Sequence, residues 1–415
     1  MQGPFFIMEQ QELIPHLFRT EFRKIVSVLC AAMGIEHIEI AEDIAGETFL
    51  SALESWPFRG IPENPAAWLY TVAKNKAKNH IARSQLFARK IAGELRYAAT
   101  GSQEPEIDLS ESNIADSQLR MLFAICHPLI PAEAQIGLAL RILCGFGIDE
   151  IASALLSNKE AINKRLFRAR EQLRAQKVSL EFPGEDAIDS RLETVLTTLY
   201  LLFSEGYYSE SNDVVLQEDL CLEAMRLTYL LIEHERTNLP AVNALLALMC
   251  FQASRFAARR DHTGAPVLYD DQDEGLWDQA LISRGIYYLN LSAKGETISK
   301  FHLEASIAYW HTKKEDTPEK WEQILQLFNR LLQVAYSPIA ALNRTYALAK
   351  ANGKQQAIAE AEKLQLTDNH FYYVLLGDLY TGTDNATAKQ HFEHALLLAR
   401  TQTDKKTIRS KIMKL

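Results

Sequence analysis

From Leu13 to Leu29 the apolar residues Leu13, Leu17, Phe18, Phe22, Ile25, Val26 and Leu29 fall at i, i+3, i+4 spacing, the period of an amphipathic helix, and Gly34 supplies its stop. The same period persists along most of the chain, and no long stretch alternates apolar and polar residues as a half-buried strand would. Breakers are scarce, with 18 Gly and 13 Pro in 415 residues, so the fold expected is all-α. A chain of this length, about two to three times that of one domain, divides among several packed units.

Residues 10–84 read as a compact helical bundle. Its second helix, about Ile38 to Ser55, is expected to break at Trp56-Pro57. The Pro/Gly-rich loop Phe58 to Pro65 would then lead, stiff and exposed, into a helix from Ala66 to about Ser84. Residues 97–113 are polar, acidic and poor in large apolar groups, the composition of a linker. A second helical unit is expected from Ile114 to Lys177, and a weaker linker within 178–189 carries Phe182-Pro-Gly-Glu-Asp186. From Ser190 onward helix follows helix. Leu342 and Leu376, and Tyr346 and Tyr380, each recur 34 residues apart, the period of tetratricopeptide helix pairs; an irregular helical bundle is the alternative.

The formal net charge of -9 excludes a protein that coats nucleic acid indiscriminately, so what matters is where the cations gather. Lys74, Lys76, Lys78, Arg83, Arg89, Lys90 and Arg96 stand against Glu94, and Lys159, Lys164, Arg165, Arg168, Arg170, Arg174 and Lys177 against Glu160 and Glu171. Two basic helical surfaces therefore sit in an otherwise acidic chain. Cys30, Cys126, Cys144, Cys221 and Cys250 form no CxxC pair and read as buried thiols of a cytoplasmic protein. Apolar runs such as Ala241 to Phe251 fall short of the roughly 20 residues that cross a bilayer, and no signal peptide opens the chain, so no membrane role is expected.

Acidic residues at Glu205, Glu210, Asp213, Glu218 and Asp219, and again at Asp270, Asp271, Asp273 and Glu274, raise the question of a metal or catalytic site. No HExxH, Walker, GxGxxG or EF-hand spacing accompanies them, and loop carboxylates are ordinarily solvated. The expectation is a protein that is not an enzyme and holds no cofactor or metal.

Residues 147–170 have the layout of a helix-turn-helix. Ile151, small Ala152 and Leu155 supply one inner face, Ile162, Leu166 and Ala169 the facing stripe, and Ser157 or Asn158 the cap of the second helix. Lys159, Asn163, Lys164, Arg165 and Arg168 remain for the outer face, with side chains that reach base edges or phosphates in a major groove.

The N-terminal unit resembles region 2 of the extracytoplasmic-function (ECF) sigma factors of the sigma-70 family. Residues 43–56, DIAGETFLSALESW, look like the helix that grips the clamp of core RNA polymerase, and residues 65–75, PAAWLYTVAKN, like the promoter-melting helix. The helix-turn-helix falls where region 4 belongs. Residues 200–207 (YLLFSEGY), 280–285 (ALISRG) and 337–344 (SPIAALNR) resemble the extension of one branch of the group, so the likeness covers nearly the whole chain. It implies region 2 over 9–96, a linker over 97–113, region 4 over 114–177, a linker over 178–189, and a helical regulatory extension over 190–415, tetratricopeptide-like from about 320. It also implies binding to the polymerase clamp and flap and to promoter DNA, with a regulatory protein as a further partner of the extension.

By the same resemblance, Gly60, Ile61, Pro62 and Asn64 would pocket a flipped minus-10 base, with Lys74, Asn75, Lys78, Asn79 and Arg83 touching neighbouring bases or phosphates. Lys159, Asn163, Lys164, Arg165 and Arg168 would meet the minus-35 element, and Asp43, Glu47 and Phe49 the polymerase. Asn79 stands where the family usually has an acidic residue, and Ala82-Arg83 where it has a basic pair; this bears on the minus-10 contacts and not on the class. Trp68 and Tyr70 are expected in the core, where aromatics at helical spacing usually pack. The rival reading is a conventional helix-turn-helix regulator with a helical effector domain, which would leave residues 10–84 unexplained.

Overall fold

A computed structural model describes residues 4–91, 107–155, 157–207, 214–261, 267, 269–399 and 401–415. These residues form helices and no β-strand. The chain divides into two compact units, Met1–Thr237 and Asn238–Leu415.

The first unit opens with α1 (Pro4–Met33), α2 (Ile38–Arg59) and α3 (Pro65–Ile91). Gly34 ends α1 with φ at 99°, a conformation that costs glycine little. The break expected at Trp56-Pro57 does not occur: α2 runs through Pro57 and stops at Gly60, whose φ is 84° and whose N–H donates to the Trp56 carbonyl at 2.9 Å. A proline in the last turn has little helix left to disrupt. Buried Trp56 holds that turn down by packing edge-on against Trp68, with ring centres 5.5 Å apart. The helix expected to end near Ser84 continues to Ile91. Phe18, Phe22 and Phe49 form the aromatic centre of the bundle, with Ile25, Val26, Leu29, Ile44 and Leu69 buried around them.

Next come α4 (Glu111–Ile125), α5 (Ala132–Leu138) with a π-helical turn over Ala139–Leu143, α6 (Ile148–Ala154) and α7 (Lys159–Ala175). Residues 97–106 of the expected linker lie outside the described residues, but at its far end Ile107 is fully buried. The unit closes with α8 (Glu185–Tyr207) and α9 (Val214–Glu233). The boundary expected within 178–189 is not where the chain divides. Phe182 of that segment is packed edge-on by Phe123 at 5.2 Å and stacked on His234 at 4.7 Å. On α8, the Thr198 hydroxyl donates to the buried Gln135 amide oxygen of α5 at 2.6 Å. On α9, Asp219 and Glu223 pair with Arg19 and Arg23 of α1 at 2.8 and 2.6 Å.

The second unit contains α10 (Pro240–Ala253), α11 (Gln279–Ser292), α12 (Lys300–Trp310), α13 (Pro318–Val334), α14 (Pro338–Asn352), α15 (Lys354–Leu364), α16 (His370–Tyr380), α17 (Asn385–Leu398) and α18 (Gln402–Met413). Each helix packs against its neighbours in sequence, so helical pairing begins at 240, well before 320. Side chains of Asp278, Thr317, Ser337, Asn369, Asp384 and Thr401 accept backbone N–H groups at six of the helix starts. Of the residues recurring 34 apart, Leu342 and Leu376 are buried, and Tyr346 and Tyr380 pack against the same core. By length and composition Pro240–Ala258 is apolar enough to cross a membrane, but most of this segment is buried inside the unit.

Candidate nucleic-acid interface

The helix-turn-helix is set by a small interlocked core. Ile151, Ala152 and Ala154 of α6 are buried against Ile162, Leu166 and Ala169 of α7, while Leu155 is only half-buried. The Glu150 carboxylate accepts the Gly147 N–H at 2.6 Å, and the Asn158 side chain accepts the Ala161 N–H at 2.8 Å, capping α7. With that stripe inward, Lys159, Asn163, Lys164 and Arg168 are exposed. Lys159 lies 3.0 Å from Asp149, and Arg165, partly buried, lies 3.9 Å from Glu133.

Phe167 was missed in the sequence reading. It is 58% exposed, one helical turn after Asn163 and next to Arg168. A phenyl ring on a groove-facing helix can meet a thymine methyl. The signal was present as a large apolar residue just outside the Ile162, Leu166, Ala169 stripe.

Two further cations of α7 are engaged elsewhere. Arg170 reaches the Glu42 carboxylate of α2 at 2.8 Å, and Arg141 reaches its other oxygen at 3.0 Å; Glu42 and Arg170 keep only 11% and 14% of their side-chain surface exposed. Arg174 lies 3.9 Å from Glu39 and donates to the Glu36 carbonyl at 3.3 Å. The second half of this basic surface therefore faces α2.

On the N-terminal bundle the loop after Gly60 leads into α3, whose start is capped by the Asn64 side chain accepting the Ala67 N–H at 3.0 Å. Ile61 and Pro62 are half-buried, and Phe58, just before the loop, is 88% exposed. Along α3, Asn75, Lys78, Asn79 and Arg83 share the exposed side, whereas Lys74 is half-buried and Lys76 pairs with Glu47 at 3.1 Å. Tyr70 donates its hydroxyl to the Glu21 carboxylate, and burial followed by that bond pushes its pKa up. Trp68 and Tyr70 thus pack inward.

Asp43 and Glu47 are exposed on one face of α2. Phe49 is not part of that face. Two residues beyond Glu47 it points roughly 200° around the helix, and it is 3% exposed within the Phe18–Phe22 cluster. The exposed apolar residues beside Asp43 and Glu47 are Leu50 and Leu53.

The acidic residues singled out in the sequence do not converge. Among the described residues no three His, Cys, Asp or Glu side chains come together as metal ligands. Asp273 instead accepts the Gly275 N–H at 2.8 Å, while Glu210 and Asp213 lie outside the described residues. All five cysteines are buried and none is in a disulfide; burial pushes the Cys126 and Cys250 thiols up to about 12, and those of Cys30 and Cys144 higher still.

A helical bundle with a cation- and amide-bearing helix, joined to a capped helix-turn-helix, defines a two-part DNA-binding protein. Residues 17–86 match the family described as sigma-70 region 2, and residues 191–293 match a family of unknown function (DUF6596). An uncharacterized protein of Rhizobium meliloti (strain 1021) is 33% identical over 402 residues, 94% of each chain. The ECF RNA polymerase sigma-E factor of Haemophilus influenzae is 29% identical over 136 residues, 32% of this chain and 71% of that one. The ECF RNA polymerase sigma factor BldN of Streptomyces coelicolor is 31% identical over 132 residues, 31% of this chain and 47% of that one. No solved structure matches. The chain belongs to the ECF group of the sigma-70 family and carries a long C-terminal extension.

Proposed function

We propose that this sigma factor directs core RNA polymerase to a defined promoter set, and that its extension regulates it by holding the promoter-reading helices together. Asn163, Lys164, Phe167 and Arg168, with Lys159 and Arg165 beside them, read the minus-35 element. The loop Gly60, Ile61, Pro62, Asn64 and the α3 residues Lys74, Asn75, Lys78, Asn79 and Arg83 take the minus-10 strand, Asn64 by shaping the start of α3. Asp43 and Glu47, with Leu50 and Leu53 in place of Phe49, meet the polymerase clamp.

The observation that carries the regulatory part is the double tie inside the first unit. Glu42 of α2 is shared by Arg141 and Arg170, and α9, within the matched segment 191–293, grips Arg19 and Arg23 of α1 through Asp219 and Glu223. The two promoter elements, about 25 base pairs apart by their names, are separated by roughly 80 Å of duplex. A packed unit of this length has a radius of gyration of roughly 18 Å and a diameter of about 45 Å. The unit must therefore open before both elements are read at once. Opening costs the desolvated Glu42 carboxylate its two guanidinium partners, which contacts with polymerase offset. Beyond Asn238 the stacked helix pairs are tetratricopeptide-like and offer a surface for a regulatory protein.

Run-off transcription with core polymerase and promoter fragments from the source genome tests this reading. Truncation after Lys177 would bare the α4–α5 face that α8 covers, so the double variant Asp219→Asn, Glu223→Gln is the cleaner probe. Initiation from a defined subset, several-fold higher in the double variant, is expected. Binding to duplex DNA with no polymerase-dependent transcript from either form would favour the conventional regulator instead.

A further inference from the structure

The end of the recognition helix, the loop after α4 and the start of the extension enclose a cavity of about 450 Å³, within the size range of small-molecule sites. Phe123, His127, Leu129, Val178, Phe182 and Arg191 are among the residues lining it. All belong to the first unit, and none has a place in the promoter or polymerase contacts proposed above.

Arg191 is the unusual member. One terminal nitrogen donates to the Phe123 carbonyl, yet its Nε is buried without a hydrogen-bond partner, and no carboxylate of the described residues forms an ion pair with it. A half-buried guanidinium ordinarily meets a carboxylate or phosphate through its planar fork. Here burial lowers its pKa, and what opposes that shift is the buried Cys126 thiol and no carboxylate. His127 adds a second donor: its Nδ1 accepts the Leu129 N–H at 3.3 Å, which leaves the proton on Nε2, and burial followed by Arg191 keeps the ring neutral. The wall is firm, because Arg236 donates to the Pro183 carbonyl at 2.9 Å and lies 4.7 Å over the Phe182 ring. Among the described residues the carboxylate lining the cavity is that of Glu181, exposed at its edge.

We infer that this cavity binds the oxyanion group of a small molecule, a carboxylate or a phosphate, on the fork of Arg191 with His127 as second donor. The site lies where the recognition helix α7 hands over to α8, so occupancy fixes the segment 178–184 against both. This goes beyond the proposed function and stands independently of whether the extension holds the unit closed.

Titration calorimetry of the full chain at low ionic strength, with inorganic phosphate in one arm and benzoate in the other, tests the inference. Saturable one-to-one binding is expected in at least one arm: phosphate alone marks a phosphoryl ligand, benzoate alone a carboxylate with an apolar body. Arg191→Gln should weaken that binding about tenfold, the loss of one charge-assisted hydrogen-bonded contact. Arg191→Lys should restore part of it. Glu181→Gln should tighten it roughly two- to fivefold by removing a repelling charge at the rim. If circular dichroism shows Arg191→Gln unfolded, Glu181→Gln decides, since its side chain is exposed: tighter binding supports the site and unchanged binding overturns it. No saturable binding in either arm, or binding equal in the wild type and a folded Arg191→Gln, also overturns it.

Discussion

Arg168 and Phe167 sit side by side on α7 and ask different things of DNA. Among the described residues no carboxylate forms an ion pair with Arg168, so its charge stands unopposed on α7, whereas Phe167 offers only a ring. Reversal of charge at Arg168 (R168E) should weaken minus-35 binding on every sequence and reduce its salt dependence, as a lost phosphate contact does. Truncation at Phe167 (F167A) should instead cost about 1 kcal/mol only where a thymine methyl lies beneath it. Competition binding against a set of single-base minus-35 variants separates the two; a uniform loss in F167A would remove it from base reading. Asn163, Lys164 and Arg168 were legible in the sequence because the stripe Ile162, Leu166, Ala169 fixes which face of α7 is free. Phe49 was misread because a two-residue step turns a helical side chain to the opposite face. Arg170 and Arg174 were counted in the same basic surface because local charge says nothing of the carboxylates that tertiary packing brings opposite them.

The stacked helices of the second unit depend on two close approaches that a side chain would block. A Cβ at Gly285 would stand 2.5 Å from the Phe251 ring, and one at Gly377 2.5 Å from the Phe392 ring. Although alanine is the better helix former, Gly285→Ala and Gly377→Ala should each destabilise this unit by about 1–3 kcal/mol, read as a lower midpoint of urea unfolding. A rise in midpoint would show that the rings move aside at no cost. These glycines look like plain helix-weakeners in the sequence, since what they approach lies on another helix.

His311 supplies a pH test of the same unit. Burial, followed by the positive charges of Arg255 and Lys320, holds its pKa down to about 3 from an ordinary 6.5. The folded state thus keeps it neutral while the unfolded chain takes up a proton, so its contribution is fully present above pH 6.5 and is lost as pH falls toward 3. Unfolding free energy should fall by up to about 1.4 kcal/mol per pH unit in that window, and His311→Gln should flatten the slope. An equal slope in that variant would assign the acid sensitivity to other groups. The helical period announced these elements well, but not their ends: α2 passes through Pro57 because Trp56 is held by Trp68, a contact between two helices.

At the scale of the molecule, the sequence carries three patterns in order: a bundle, a basic helix-turn-helix and a long helical remainder. The division of the chain after Thr237 was not readable, because the salt links of Asp219 and Glu223 to Arg19 and Arg23 join residues about two hundred positions apart. The same long-range ties make the account testable as mechanics. Glu42→Gln removes the charge that Arg141 and Arg170 share, and the free protein should expand, seen as a larger radius of gyration in solution scattering. An unchanged radius would place the holding force elsewhere, on α9.

The most direct measurement is a pair of spin labels at exposed Ala82 on α3 and Gln172 on α7, with the distance read in the free chain and in an open promoter complex with core polymerase. The account predicts a free distance within the roughly 45 Å span of a packed unit. In the complex it should lengthen toward the roughly 80 Å that separates the two promoter elements. A long distance in the free chain, or a short one retained in a transcribing complex, would contradict it.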